Sequence, residues 1–183
     1  MNRIFKRVLL VGALALVASG AQAQVGTLSN GPVTVVLNAT QAPTLTLTTS
    51  VASVTMASSI GANVVSPFPT FNVTATWNLT AGTTIRLVGW FNTPAAALVS
   101  GANNIASARV LGRTGVAAYA PFTGGVSSTL GVAGGTQQLW SVNAAPLNGT
   151  ATINLDLALD YVGQPSPNAG AYTGTLNLRA IVQ

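Results

Sequence analysis

The sequence predicts an all-β fold, an antiparallel β-sandwich of about nine or ten strands, and three observations carry this prediction. Apolar and polar residues alternate over residues 71–79, 150–159 and 172–182, as they do in a strand that buries one face. Clusters of Gly, Pro, Asn and Ser separate such stretches along the chain. No stretch has the period of an amphipathic helix, and no internal repeat is present.

The N-terminus has the pattern of a signal peptide. Arg3, Lys6 and Arg7 form a positively charged N-terminal region, and residues 8–18 are apolar. The small residues that follow predict cleavage after Ala23. Eleven apolar residues are about half of the roughly 20 that a membrane-spanning helix needs. We therefore expect export with removal of residues 1–23, and no membrane span in the mature chain.

The mature chain is expected to form a single β-sandwich domain over residues 24–183, which begins with a flexible lead at residues 24–32. Its length is 183 − 23 = 160 residues, enough for a sizeable core without disulfides. The charged side chains that remain are Arg86, Arg109, Arg113 and Arg179 against Asp156 and Asp160, so the net charge is 4 − 2 = +2. Four scattered arginines make no basic patch, and no nucleic-acid partner is expected. The low charge fits a protein that associates, and equally an ordinary Thr- and Asn-rich surface.

The mature chain offers almost no catalytic chemistry, because it contains no His, Cys, Lys or Glu. Histidine or cysteine metal sites, serine–histidine relays and Schiff-base lysines are therefore excluded. Asp156 and Asp160 would lie roughly 13 Å apart on one strand, beyond the roughly 5–9.5 Å of glycosidase carboxylate pairs. We expect no enzyme, no catalytic residue and no cofactor. A weak calcium site at these two residues stays open, beside the alternative of ordinary surface acids.

Further strands are predicted from shorter alternating stretches, at residues 33–39, 44–48, 51–56, 84–91, 106–111, 117–122 and 137–142. Strands 71–79 and 84–91 are predicted to form a hairpin around turn residues 80–83. Residues 161–169 contain Pro165 and Pro167, which indicates an arch that crosses between sheets. Residues 57–70 and 123–135 are predicted loops. Residues 92–105 are predicted to be irregular, with a helical turn at 94–98.

Two tryptophans, Trp77 and Trp90, are predicted to be core anchors, because single tryptophans in alternating strands usually point inward. The alternative is a carbohydrate-binding module with Trp90 or Trp140 as an exposed aromatic platform. The solvent accessibility of these rings separates the two interpretations.

The last strand resembles that of secreted bacterial pilin-like domains, the spore-coat-U and archaic chaperone–usher group. The resemblance rests on residues 170–178, Gly-Ala-Tyr-Thr-Gly-Thr-Leu-Asn-Leu, and on the plan of a signal peptide followed by an Ala/Thr/Gly-rich β domain. It implies an immunoglobulin-like (pilin-like) sandwich that lacks its last strand and is completed by a donor strand from a chaperone or a neighbouring subunit. Tyr172 would then occupy a tyrosine-corner position.

The C-terminal strand ends the chain, so its outer edge needs a partner. We predict that Tyr172, Leu176, Leu178, Ala180 and Val182 form the acceptor strand. The predicted donor residues are Val33, Val35, Leu37 and Ala39. They lie in the one early stretch whose alternating apolar residues could fill the core beside the last strand. Donation within one chain would close a monomer, whereas donation between chains would build a fibre.

These observations together predict a secreted, non-catalytic structural or adhesive subunit at the cell surface. Its expected partners are itself or another cell-surface protein, joined by β-strand addition, with a periplasmic chaperone implied by the resemblance. A carbohydrate-binding module and a small outer-membrane β-barrel are the alternatives.

Overall fold

A computed structural model of the chain describes residue 39 and residues 41–80, 82–125, 130–143 and 147–183. The chain divides between Gln41 and Ala42, and Ala42–Gln183 form one compact unit. The predicted signal peptide, the lead and three of the predicted donor residues, Val33, Val35 and Leu37, lie outside the described residues. Ala39, the fourth, is described and is exposed.

The described part of the chain is all-β, as predicted, with eleven strands. Helical structure in these residues is limited to single 3-10 turns at Pro94–Ala96 and Ser107–Arg109. The strands are β1 (Thr44–Thr49), β2 (Val65–Pro67), β3 (Phe71–Asn78), β4 (Thr84–Trp90), β5 (Leu98–Ser100), β6 (Asn103–Ile105), β7 (Val110–Thr114), β8 (Ala120–Pro121), β9 (Thr136–Asn143), β10 (Asn148–Asp160) and β11 (Asn177–Val182).

Two antiparallel sheets enclose the core in a β-sandwich-like arrangement. The larger sheet has the order β1-β3-β10-β7-β8, with β2 paired to the end of β10, and the smaller has the order β11-β4-β9. Strands β5 and β6 form a separate hairpin. Val73 and Leu155 from the larger sheet pack in one cluster with Leu87 and Leu139 from the smaller. Both sheets are therefore held together by a shared apolar core.

The alternation that identified the strands also sets which face they bury. On β3, Phe71, Val73, Ala75 and Trp77 are all buried. On β10, the predicted inward residues Ile153, Leu155, Leu157 and Leu159 are buried as well. Successive side chains of a strand point to opposite faces, so each apolar set reaches the core together. These two strands were correctly predicted, and they are neighbours in the larger sheet.

The predicted hairpin between residues 71–79 and 84–91 is wrong. β3 pairs with β1 on one side and with β10 on the other, while β4 pairs with β11 and β9 in the smaller sheet. Both edges of β3 are occupied over the same residues, so no edge is left for β4. The connection therefore crosses between sheets, and turn chemistry alone did not reveal this.

The predicted arch between the last two long strands is confirmed. β10 lies in the larger sheet and β11 in the smaller, so residues 161–169 cross from one sheet to the other. Asp156 and Arg179 therefore do not pair across a ladder. Asp156 instead faces Arg113 on β7, whose Nε donates to Asp156 Oδ2 at 3.0 Å.

The ordered part of the last strand is shorter than predicted. β11 begins at Asn177, and in residues 172–176 only Thr173 forms a bridge, with Val99. A Cβ added at Gly174 would overlap the carbonyl oxygen of Ala97. The chain therefore approaches the segment before β5 too closely at this point to continue a regular ladder.

Several short elements were misplaced or missed. Residues 51–56 form no strand, and the predicted loop at 57–70 contains β2. The predicted helical turn is present at Pro94–Ala96, but β5 and β6 follow it. Gly112 is a residue of β7, and a Cβ added there would contact Phe122 and Leu139. β7 ends at a turn that contains Gly115, whose φ of 57° favours glycine.

Candidate functional site

The two carboxylates of the described chain are each engaged locally. Asp156 forms an ion pair with Arg113 and accepts a hydrogen bond from the Thr70 hydroxyl. Asp160 Oδ1 accepts the backbone N–H of Val162 at 2.9 Å. Among the described residues no group of three potential metal ligands occurs. The arrangement therefore gives no support to the calcium site that the sequence left open.

A wide apolar groove of about 1140 Å³ lies along one side of the sandwich. Leu47, Phe71, Leu157 and Leu159 from the larger sheet line one wall, and Leu176 and Leu178 line the other. The volume exceeds the roughly 300–1,000 Å³ of ordinary small-molecule pockets. We call this feature the open groove.

One border of the open groove is the outer edge of β11, which has no backbone partner among the described residues. Thr84 and Gln183 exchange both backbone hydrogen bonds at 2.9 Å, at the end of the β4–β11 ladder. Because bonded pairs alternate in antiparallel strands, residues 181, 179 and 177 also point to β4. The N–H and C=O groups of Leu178, Ala180 and Val182 therefore point away from β4, along the free edge of β11. Of these three residues, Leu178 lines the open groove.

The opposite border is the outer edge of β1 together with residues 51–60. The Ser50 N–H donates to Asn72 O at 2.9 Å, so by the same alternation Leu45, Leu47 and Thr49 direct their backbone groups away from β3. Residues 51–60 make no backbone–backbone hydrogen bond to other described residues. Val54, Met56 and Ile60 of this segment pack partly against the core. A second row of unpaired backbone groups thus faces the first.

Of the predicted acceptor residues, Tyr172, Leu176 and Leu178 line the open groove, and Ala180 and Val182 follow along β11. Leu178, Ala180 and Val182 share the inward parity with Leu176, and Val182 is still 40% exposed. Tyr172 is partly buried beside the core, and its hydroxyl donates to Asn168 O at 3.0 Å. The incomplete burial of this apolar row follows from the absence of covering side chains among the described residues.

The opposite wall was missed by sequence reasoning. Val54, Met56 and Ile60 fall on one parity, and this signal was available in the sequence. The sequence predicts a strand over residues 51–56 and a loop over residues 57–70, because Gly61, Pro67 and Pro69 indicate irregular structure there. In the structure most of residues 51–60 line the open groove without backbone hydrogen bonds to a neighbouring strand of the described chain.

The three tryptophans differ in position. Trp77 is buried, at 6% exposure, as predicted for a core anchor. Trp140 is partly buried and packs against the core. Trp90 is only partly buried and shares the outer face of the smaller sheet with Asn177, its cross-strand neighbour. The prediction of two core anchors is therefore wrong for Trp90, because the inward parity of β4 belongs to Ile85 and Leu87.

Within the described residues, no helix has the length and apolarity needed to cross a membrane. No protein-family model matches the chain, and a search of curated proteins found no similar sequence.

Proposed function

We propose that this chain is a secreted, non-catalytic structural or adhesive subunit that is completed by a β-strand from another molecule. The observation that carries the proposal is the open groove, an apolar cleft bordered on both sides by unpaired strand edges. A strand inserted there would satisfy both rows of backbone groups and cover the apolar walls.

The strand order supports an immunoglobulin-like assignment with one strand missing. The order β1-β3-β10-β7 corresponds to strands A-B-E-D of that fold, and β11-β4 corresponds to F-C. The remaining strand, G, would lie on the free side of β11, where the open groove is. The hydrogen bond from Tyr172 to the backbone four residues upstream has the form of a tyrosine corner, which supports the same assignment.

The proposed donor is the segment that carries Val33, Val35, Leu37 and Ala39, supplied by another copy of the chain. Its apolar side chains share one parity, so all would point into the groove while its backbone joined the ladder. Each buried Val or Leu contributes about 1.5–3 kcal/mol. Donation between copies gives head-to-tail contacts that build a fibre. A periplasmic chaperone would occupy the groove before assembly, and the mature fibre would lie at the cell surface.

Proline substitution tests the proposal, because proline removes a backbone N–H. Ala180→Pro removes an N–H from the free edge of β11, where the inserted strand would pair, and leaves the ladder with β4 intact. We expect the variant to keep its β-rich circular dichroism spectrum and to lose assembly, measured by size exclusion and electron microscopy.

The matched control is Ser141→Pro on β9. The backbone groups of Thr84 point to β11, so those of the next residue, Ile85, point to Val142 on β9. By the same alternation, the N–H of Ser141 faces the outer edge of β9, away from the groove. We expect this variant to assemble normally. The proposal fails if Ala180→Pro assembles as well as the unmodified chain, or if the unmodified chain stays monomeric at high concentration.

A further inference from the structure

We infer that the outer face of the smaller sheet binds an acidic polysaccharide, a polymer of sugars that carry carboxylates. This surface is separate from the open groove, so it requires no inserted strand. It consists of Arg86 and Trp90 on β4, Asn177 and Arg179 on β11, and Asn92 just after β4. We call it the arginine–tryptophan face.

The register of the sheet places these side chains together. Asn177 pairs with Trp90, Arg179 with Val88, and Ile181 with Arg86. Paired residues of an antiparallel ladder point to the same face. Their neighbours Leu178, Ala180 and Leu87 occupy the other face and point to the core. The arginines and the tryptophan therefore share one surface.

An amide network holds the tryptophan in place. The indole Nε1–H of Trp90 donates to Asn92 Oδ1 at 3.0 Å, and Asn177 Nδ2 donates to the same oxygen at 3.3 Å. Asn177 Nδ2 also lies 3.3 Å from the Trp90 carbonyl oxygen. The Asn92 amide nitrogen and the Asn177 amide oxygen have no partner among the described residues. A fixed aromatic ring beside a free donor and a free acceptor suits the apolar face and hydroxyl groups of a sugar.

Two of the four arginines of the described chain, Arg86 and Arg179, lie on this face. The four arginines and the two aspartates sum to 4 − 2 = +2. Both aspartates lie on β10 in the other sheet, where Asp156 pairs with Arg113. Arg86 and Arg179 have no carboxylate within 4.0 Å among the described residues, and Arg86 Nε is buried without a hydrogen-bond partner. Two guanidinium groups without a counter-ion favour an anionic ligand.

The composition of the face favours an acidic polysaccharide over a nucleic acid. Two arginines can bind two carboxylates of a sugar chain, whereas nucleic-acid binding rests on many phosphate contacts and here finds no lysine. Uronate carboxylates match the planar fork of a guanidinium. The neutral amides and the tryptophan would contact the sugar rings between charged groups.

Binding to polygalacturonate, measured by isothermal titration calorimetry with the purified chain, tests the inference. We expect binding that weakens as salt is raised, and no binding to neutral dextran. Arg179→Gln removes an exposed charge and is expected to weaken polygalacturonate binding by about tenfold. Trp90→Ala is expected to weaken it as well.

Arg109→Gln is the matched control, since it removes the same charge from a site outside the smaller sheet. It should leave the affinity within about twofold of the unmodified chain, because the charge it removes lies away from the ligand. Equal loss in Arg109→Gln and Arg179→Gln would show that only net charge matters and would overturn the inference. Equal binding of dextran, tighter binding of single-stranded DNA, or no binding of polygalacturonate would each overturn it too.

Discussion

The contact between Trp77 and Gly149 gives a stability prediction whose magnitude follows from the packing. Trp77 lies between Leu45 on β1 and Gly149 on β10 as a cross-strand neighbour of both. The indole is buried and packs with Ile85, and a Cβ added at Gly149 would lie 2.6 Å from indole Cζ2. The ring therefore occupies the space that a side chain at position 149 would need.

Trp77→Ala is expected to lower the free energy of unfolding by about 3–5 kcal/mol, because it leaves a cavity in the core. Gly149→Ala is expected to lower it by about 1–3 kcal/mol, because the new methyl group overlaps the ring. In the Trp77→Ala background, Gly149→Ala should instead raise it by about 0.5–1 kcal/mol, since alanine loses less backbone entropy in a strand than glycine does.

Urea unfolding of the four proteins, followed by circular dichroism, measures this double-mutant cycle. We expect a coupling of about 1.5–4 kcal/mol between the two sites. Gly125→Ala serves as the control, because a Cβ there meets no atom within 4 Å, and it should be near neutral. Additivity of the two changes within about 0.5 kcal/mol would refute the packing argument.

Three further predictions concern assembly, pH and backbone packing. Deleting residues 24–39 should abolish assembly in size exclusion while the β-rich spectrum persists, alone or with a chaperone; outright loss of the fold would instead indicate a self-complemented monomer. Burial, and then the nearby Tyr172, raise the pKa of Tyr161 above its ordinary 10.0, although Arg109 acts in the opposite direction. The unfolded state therefore loses this proton first, and the free energy of unfolding should fall as pH rises above about 10; a Tyr161→Phe variant with an equally steep fall in urea titrations would contradict this. Gly174→Ala should lower the urea midpoint, because its Cβ overlaps the Ala97 carbonyl oxygen, and an unchanged midpoint would count against that contact.

The strands that the sequence predicted well are those whose alternation is long and unbroken. β3 and β10 each bury a full apolar parity, so their existence and orientation follow from local pattern. β2, β5 and β6 have three residues each, too few for a period to be recognised. Along residues 51–60 a strand was predicted only as far as Met56, because Gly61, Pro67 and Pro69 indicated a loop over residues 57–70.

Which strands pair with one another was harder to predict from the sequence. The prolines at 165 and 167 indicated correctly that the last two strands lie in different sheets. The turn residues between β3 and β4 indicated a hairpin, but β3 already has β1 and β10 on its edges. A short connection with turn residues can form a hairpin within one sheet or cross to the other sheet. Which of the two forms depends on which distant strands already occupy the edges of β3.

The same division holds for the candidate sites. The inward parity of Leu176, Leu178, Ala180 and Val182 could be read from the sequence, because side-chain direction in a strand depends only on its own alternation. The open groove and the arginine–tryptophan face were decided by the tertiary structure alone. Whether an edge is free, and which arginine lacks an acid, depends on where residues far apart in the chain are brought together by the packing of two sheets.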